Sequence, residues 1–261
     1  MSIASVPNTS DCVVPDWRVP DNVVALSTTR RAGAGSGAYK GFNLASHVGD
    51  DPSAVSSNRE SLLELLDPGV KLQWLQQVHG TNVVTADKDS NEPVADGCFT
   101  TRAGIACCVA TADCLPVLMT NSSGTAVAAT HAGWRGLAAG ILEQTLASFS
   151  EPATQIHAWL GPAIGPCHFE VGEEVRDVFL GSPDGAGTPL ARLIDDCFTA
   201  TDKPGKYMAD LYGLARCRLA HYGVTNISGG GYCTYCQPDD FYSFRRNNIT
   251  GRMTSLIYLK P

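Results

Sequence analysis

Across residues 104–149 the hydrophobic pattern changes period once, and this change restricts the fold more than any other feature of the chain. Apolar runs at 104–110 and 115–119 are short and bounded by turn formers, as buried strands are. Asn121-Ser122-Ser123-Gly124 is a strong turn signal and 125–130 returns as another strand, so a hairpin is predicted. From Gly136 onward, Leu137, Ile141, Leu142, Thr145, Leu146 and Phe149 fall at helical spacing, which predicts one helix with a single apolar face. A hairpin that hands over to such a helix calls for helices packed on a sheet.

The rest of the chain fits that scheme. Residues 23–29 read as a strand, and 30–37 as a flexible Gly-rich loop that lacks the Gly-Lys-Ser/Thr ending of a phosphate-binding P-loop. Asp51-Pro52 opens a helix with Val55, Leu62, Leu63, Leu65 and Leu66 on one broad face, ended by Pro68-Gly69. Further strands are predicted at 72–77, 82–86 and 156–160, turns at 161–166, helices at 172–180 and 210–222, and a loop at 182–188. Residues 255–259 are expected to close the sheet as a final strand. With 261 residues, no internal repeat and no long linker, the expectation is one compact α+β domain over 1–261, residues 1–20 forming a loose N-terminal extension.

The formal charge of −7 argues against general attraction to nucleic acid or an anionic membrane, though Arg245-Arg246 could form a local basic pocket. The richest apolar stretch, 104–119, is interrupted by Thr111, Asp113 and Pro116, so no membrane span is expected. Residues 1–11 have neither a basic start nor an apolar run, which leaves a cytoplasmic protein as the expectation. The ten cysteines then read as reduced thiols, and Cys107, Cys108, Cys197 and Cys217 as core filler.

The chemistry concentrates in three short segments, Gln76-Gln77-Val78-His79-Gly80, Thr111-Ala112-Asp113-Cys114-Leu115-Pro116 and Thr130-His131-Ala132-Gly133-Trp134-Arg135-Gly136. They offer one thiol and two imidazoles, a donor set that suits zinc with an open fourth position. The three lie far apart in the chain, so folding must assemble them. Two other readings compete: a Cys–His nucleophile pair without metal, and ordinary packing of a cysteine and polar histidines. Cys233-Thr234-Tyr235-Cys236 is a CxxC without a following second pair at zinc-ribbon spacing, Cys167-His168 is ambiguous, and His47, His157 and His221 read as structural or surface residues. Arg59, Arg135, Arg245 and Arg246 are candidates to fork onto phosphate oxygens, against a bland reading of surface solvation.

Taken together, Phe42-Asn43-Leu44, His47-Val48-Gly49-Asp50-Asp51, Asn58-Arg59, the three segments above, Ala95-Asp96-Gly97, Gly161-Pro162-Ala163-Ile164-Gly165 and Phe241-Tyr242-Ser243-Phe244-Arg245-Arg246 resemble the laccase-domain family. That family is also called the purine nucleoside phosphorylase or peptidoglycan editing factor family. The resemblance spans nearly the whole chain and departs from the family pattern at Cys167-His168. It implies a single-domain α/β sandwich with mixed sheets and a mononuclear zinc at the positions of His79, Cys114 and His131, with copper in some preparations.

Three chemistries come with the resemblance. The first is phosphorolysis of adenosine, inosine and methylthioadenosine, with adenosine deamination beside it. The second is hydrolytic removal of misincorporated amino acids from nucleotide-linked muropeptide precursors, and the third is copper-dependent phenol oxidation. A multicopper oxidase needs abundant imidazole, whereas this chain has six histidines and no His-x-His pair, so phenol oxidation ranks last. The leading expectation is a zinc-dependent purine nucleoside enzyme, a monomer or weak oligomer whose partners are nucleoside and phosphate. His79, Cys114, His131 and Asp113 are its catalytic candidates, and Asn43, Arg59, Gln77, Arg135 and Arg245 its substrate-binding ones. Asp113, Asp96 and Glu170 compete as the carboxylate that moves protons; Asp113 would face away from Cys114 if both sat in a regular strand. A non-enzymatic zinc protein would instead close the site with a fourth ligand, Cys167 or His168.

Overall fold

Met253–Leu259 (β14) lies at the centre of a sheet and not at its edge. It pairs antiparallel with Val23–Thr28 (β2) on one side and Ile105–Thr111 (β6) on the other. All seven of its residues are buried, which requires cover on both faces and both flanks. The final strand expected at 255–259 is thus present, starts two residues earlier and joins β2 to β6. Cys12–Val13 (β1) and Lys71–Gln73 (β3) complete the order β1-β2-β14-β6-β3. The computed structural model describes residues 7–86, 92–181 and 189–261; the loop expected at 182–188 falls outside them.

A second sheet runs in the order Asn226–Gly229 (β13), Ile156–Leu160 (β9), Leu115–Asn121 (β7), Val127–Ala132 (β8), Gly97–Thr100 (β5) and Val83–Thr85 (β4). β7 and β8 form the expected hairpin, with Leu115 opposite Ala132 and Pro116 opposite His131. Parallel pairs (β3 with β6, β4 with β5, β13 with β9) sit among antiparallel ones, so both sheets are mixed.

Side-chain alternation then sets the layers. On β14, Ile257 and Leu259 join Val109, Leu118, Val127 and Trp159 in a core between the two sheets. Leu256 and Tyr258 point the other way, onto Leu62 and Leu66 at the helix Pro52–Glu64 (α1), which opens as expected with Asp51 accepting from the Ser53 amide. The outer face of the second sheet is covered by Trp134–Ala139 (α2), Ile141–Leu146 (α3), Glu173–Leu180 (α4), Pro189–Asp195 (α5) and Leu211–His221 (α6). A small sheet, ordered Glu170–Gly172 (β10), Lys206–Ala209 (β12), Phe198–Ala200 (β11), joins them. The chain is thus a single compact α+β domain, two mixed sheets face to face with helices outside each.

The helix expected from Gly136 to Phe149 is two helices. Gly140 adopts φ +100°, ending α2 and starting α3, and the apolar positions of both still face the same core. At the N-terminal end, β1 pairs with β2, and Trp17 and Val19 pack against the inter-sheet core. Among the described residues no helix is long and apolar enough to cross a membrane.

Candidate metal centre and active site

β6 belongs to the first sheet and β7 to the second, and the chain crosses between them in residues 112–114. Asp113 takes φ +90° to make that crossing, a left-handed geometry that aspartate tolerates better than most residues. Its carboxylate accepts from Thr234 Oγ1 and from the Arg245 amide, each at 2.6 Å. Cys114 therefore stands before β7 and not inside a regular strand. His131 comes from the end of β8, and His79 from the loop after β3, where it holds φ +60°.

The three donors meet. His79 Nε2 lies 3.7 Å from Cys114 Sγ, the two imidazole rings sit edge to face at 4.8 Å between centroids, and all three ligand atoms lie within 4.8 Å of one another. Zinc–sulfur and zinc–nitrogen bonds of about 2.3 and 2.0–2.1 Å in a tetrahedron put S and N about 3.5 Å apart, so the arrangement fits the metal. Gly133 makes room for it: a Cβ there would stand 2.8 Å from His79 Cδ2 and 3.1 Å from Cys114 Sγ.

Asp96 positions both histidines. It is wholly buried; one oxygen receives His131 Nδ1–H at 2.8 Å, and the two together accept the amides of Val78, His79 and Gly80 at 3.2, 2.9 and 2.7 Å. Burial pushes the Asp96 carboxyl up, but His131 and these amides outweigh it and hold it below its ordinary range. With Nδ1 committed, His131 presents Nε2 to the metal position, as carboxylate-oriented metal ligands do. Burial likewise raises the Cys114 thiol, yet His131 and His79 bring it down to about 6. His131, which burial pushes down, rises to about 9 beside Cys114 and Asp96. The two shifts have one cause, the mutual stabilisation of thiolate and imidazole charge, and a lowered Cys114 pKa favours the thiolate that a metal would take as ligand.

A cavity of about 380 Å³ opens over the three donors. Arg135, Arg245 and Arg252 line it, and each guanidinium lies against an aromatic ring that also lines it: Trp134 at 4.3 Å, Phe169 at 5.4 Å and Phe244 at 5.8 Å. Arg135 is exposed, and its guanidinium makes no hydrogen bond or ion pair with any other described residue. Arg245 gives Nη1 to the carbonyls of His168 and Glu170.

Of the residues singled out from sequence, His79, Cys114, His131, Asp113, Gln77, Arg135 and Arg245 line the cavity, whereas Asn43 and Arg59 do not. Asn43 is fully buried and spends its amide on Asp50, Ala45 and the Arg252 amide. Arg59 holds the Leu44 carbonyl, pairs with Glu92 and stacks on Trp74. Gln77, though in the wall, closes both amide groups on the backbone of Ala110. Arg246 is spent on the carbonyls of Thr234, Tyr235 and Phe241, and Glu170 pairs with Lys203 outside the cavity. Cys167 and His168 gather with Cys233 and Cys236, apart from the triple.

Sequence reasoning missed His47 and Arg252 in the wall. Burial first, then the nearby Arg252 and Arg59 charges, lower the His47 pKa. The shift favours the neutral imidazole. Neither residue has a periodic or spacing signal; only the turn-rich motif around His47 hints at its place.

A family model described as multi-copper polyphenol oxidoreductase laccase matches residues 24–260. The chain is 47% identical to a purine nucleoside phosphorylase of Pseudomonas aeruginosa, over 95% of this chain and 98% of that one. It is 45% identical to the Escherichia coli purine nucleoside phosphorylase YfiH, over 96% and 99%. Among solved structures, a Neisseria meningitidis protein superposes with a TM-score of 0.89 at 43% identity, covering 96% of this chain and all of that one. YlmD from Geobacillus stearothermophilus superposes at 0.82 with 32% identity, over 92% and 93%. From the match over residues 24–260 and these near full-length likenesses, the chain belongs to the multi-copper polyphenol oxidoreductase laccase family.

Proposed function

We propose that this chain is a zinc-dependent purine nucleoside enzyme, one that uses phosphate to split adenosine, inosine and methylthioadenosine and also deaminates adenosine. The observation that carries the reading is the set of three arginine–aromatic pairs around an open three-donor centre, in a chain whose formal charge is −7. Guanidinium groups recognise phosphate oxygens, and the ring faces accept a planar base. The names of the P. aeruginosa and E. coli relatives support the same reading.

Zinc at His79, Cys114 and His131 would supply Lewis acidity and bring the pKa of water toward neutrality. Arg135 and Arg245 hold phosphate for attack on the sugar C1′ as the C1′–N bond to the base breaks. Asp113 sets Arg245 in place through its amide, and with both carboxylate oxygens engaged it serves as a positioning residue. Asp96 does the same for the two imidazoles, which leaves His47 in the wall as the group that passes the proton of the attacking phosphate to the departing purine nitrogen.

Two features speak against phenol oxidation. The triple has three donors, and the chain has six histidines in all, too few imidazoles for a multicopper centre. Copper in a preparation would not establish that activity, because copper favours the same donors.

The test incubates metal-defined protein with adenosine, with and without phosphate, and separates the products. Adenine formed only with phosphate, together with inosine, is the expected outcome, and Arg135→Ala raises the phosphate KM about tenfold or more, the loss of one charge-assisted contact. If neither product forms while a muropeptide precursor is hydrolysed, the nucleoside reading falls and the editing hydrolase replaces it.

A further inference from the structure

Three thiols and an imidazole converge where the turn after β9 meets the loop that follows β13. Cys167 Sγ lies 3.7 Å from Cys233 Sγ and 3.4 Å from Cys236 Sγ. His168 Nδ1 lies 3.2 Å from the sulfurs of both Cys167 and Cys236. All four donor atoms fall within 4.8 Å of one another. A tetrahedral zinc with bonds of about 2.3 Å to sulfur and 2.0–2.1 Å to nitrogen sets S···S near 3.8 Å and S···N near 3.5 Å. The observed separations lie close to those values. A disulfide brings two sulfurs to about 2.05 Å, far inside any pair here.

We propose that Cys167, His168, Cys233 and Cys236 form a second zinc site, a closed Cys₃His tetrahedron with a structural role. Four protein donors fill the coordination shell, whereas the triple over the cavity leaves a position open. The surroundings suit a metal thiolate. The Gly165 amide points at Cys233 Sγ at 3.3 Å, and Tyr235 stacks on His168 at 4.0 Å with the rings 16° from parallel, which fixes the imidazole. Gly165 is also tightly enclosed, since a Cβ there would meet Cys233 Cβ at 3.2 Å and Sγ at 3.3 Å. Three thiolates around a divalent ion leave a net charge of about −1. Arg246 donates to the carbonyls of Thr234 and Tyr235, inside the CxxC, and so brings an opposing charge.

The site ties together two loops that build the cavity wall. Ile164 and Phe169 flank Cys167-His168 on one loop; on the other, Thr234 inside the CxxC holds Asp113, and Arg245 reaches back to the His168 carbonyl. The CxxC has no second pair downstream at zinc-ribbon spacing; its partners, Cys167-His168, lie upstream. Binding zinc releases one proton from each thiol that enters as thiolate, and no redox step is involved.

The test counts zinc in wild-type protein and in a C114A/H131A double variant, which keeps the four-donor cluster intact. Two equivalents in the wild type and one in the double variant are expected. The remaining zinc should leave on titration of thiols with an organomercurial, and cobalt loaded into the double variant should give strong thiolate-to-cobalt charge-transfer absorption. The proposal is overturned if the double variant holds no zinc and gives no such band, or if mass and thiol counting reveal a disulfide among the three cysteines. Should the double variant fail to fold, wild-type protein and C233S/C236S carry the same test: two equivalents of cobalt in the wild type and one in the variant are expected, and one equivalent in both overturns the proposal. These readouts count metal and not turnover, so they stand apart from the nucleoside assay.

Discussion

Asp96 divides its two carboxylate oxygens among one imidazole N–H and three successive amides, and thereby sets the tautomer of His131 and the loop that carries His79. Replacing it by asparagine puts an NH₂ where an acceptor is needed. Asp96→Asn is expected to weaken zinc binding by about 10- to 100-fold, read by competition with a chromogenic chelator. A variant that holds zinc as tightly as the parent would remove the positioning role. His79, Cys114 and His131 were legible in the sequence because a donor atom is a property of the residue type. What Asp96 does was not, since a carboxylate's role depends on which amides the fold turns toward it. Asn43 and Arg59 were misread for the same reason: their polar groups end on backbone carbonyls, amides and neighbouring carboxylates, a matter of distance that no spacing encodes.

At the scale of elements, long and strongly patterned segments announced themselves. The β7–β8 hairpin falls where its turn signal puts it and α1 opens at Asp51-Pro52 as expected, although α1 ends at Glu64 and Leu63, expected on its buried face, is exposed. Three-residue strands such as β10 and β11 are too short to develop a period, and pairing partners decide them. Gly140 marks where periodicity misled: two helices share one apolar face across a left-handed residue, so the pattern continues while the backbone breaks. A Cβ at Gly140 would meet only Glu143 and Arg218 side-chain atoms at 3.5–4.0 Å, so the space is adequate and the backbone angle is the obstacle. Gly140→Ala should therefore destabilise the fold by about 1 kcal/mol or more, measured as a lower urea midpoint at unchanged slope. An unaffected midpoint would mean that α2 and α3 merge without cost.

For the whole molecule, the sandwich buries unpaired thiols along both faces of β6. Burial pushes Cys107 well up, reinforced by the adjacent Cys98, and does the same to Cys108. Their folded pKa values exceed those of the unfolded chain, so the native state keeps protons that the unfolded state releases above a pH of about 8.5. Stability is full below that pH and falls as pH rises through the window, by up to about 1.4 kcal/mol per pH unit for each thiol. Urea unfolding at pH 7.5 and 9.5 checks this, and Cys107→Ala with Cys108→Ala should flatten the dependence.

The central place of β14 has a consequence for how the molecule comes into being. β2 and β6 are made early and are held apart by a strand that the ribosome delivers late, so through most of synthesis each presents an unpaired flank. The first sheet is completed after the residues of both donor clusters have emerged, and nascent chains arrested before Met253 would expose two sticky strand edges to other chains.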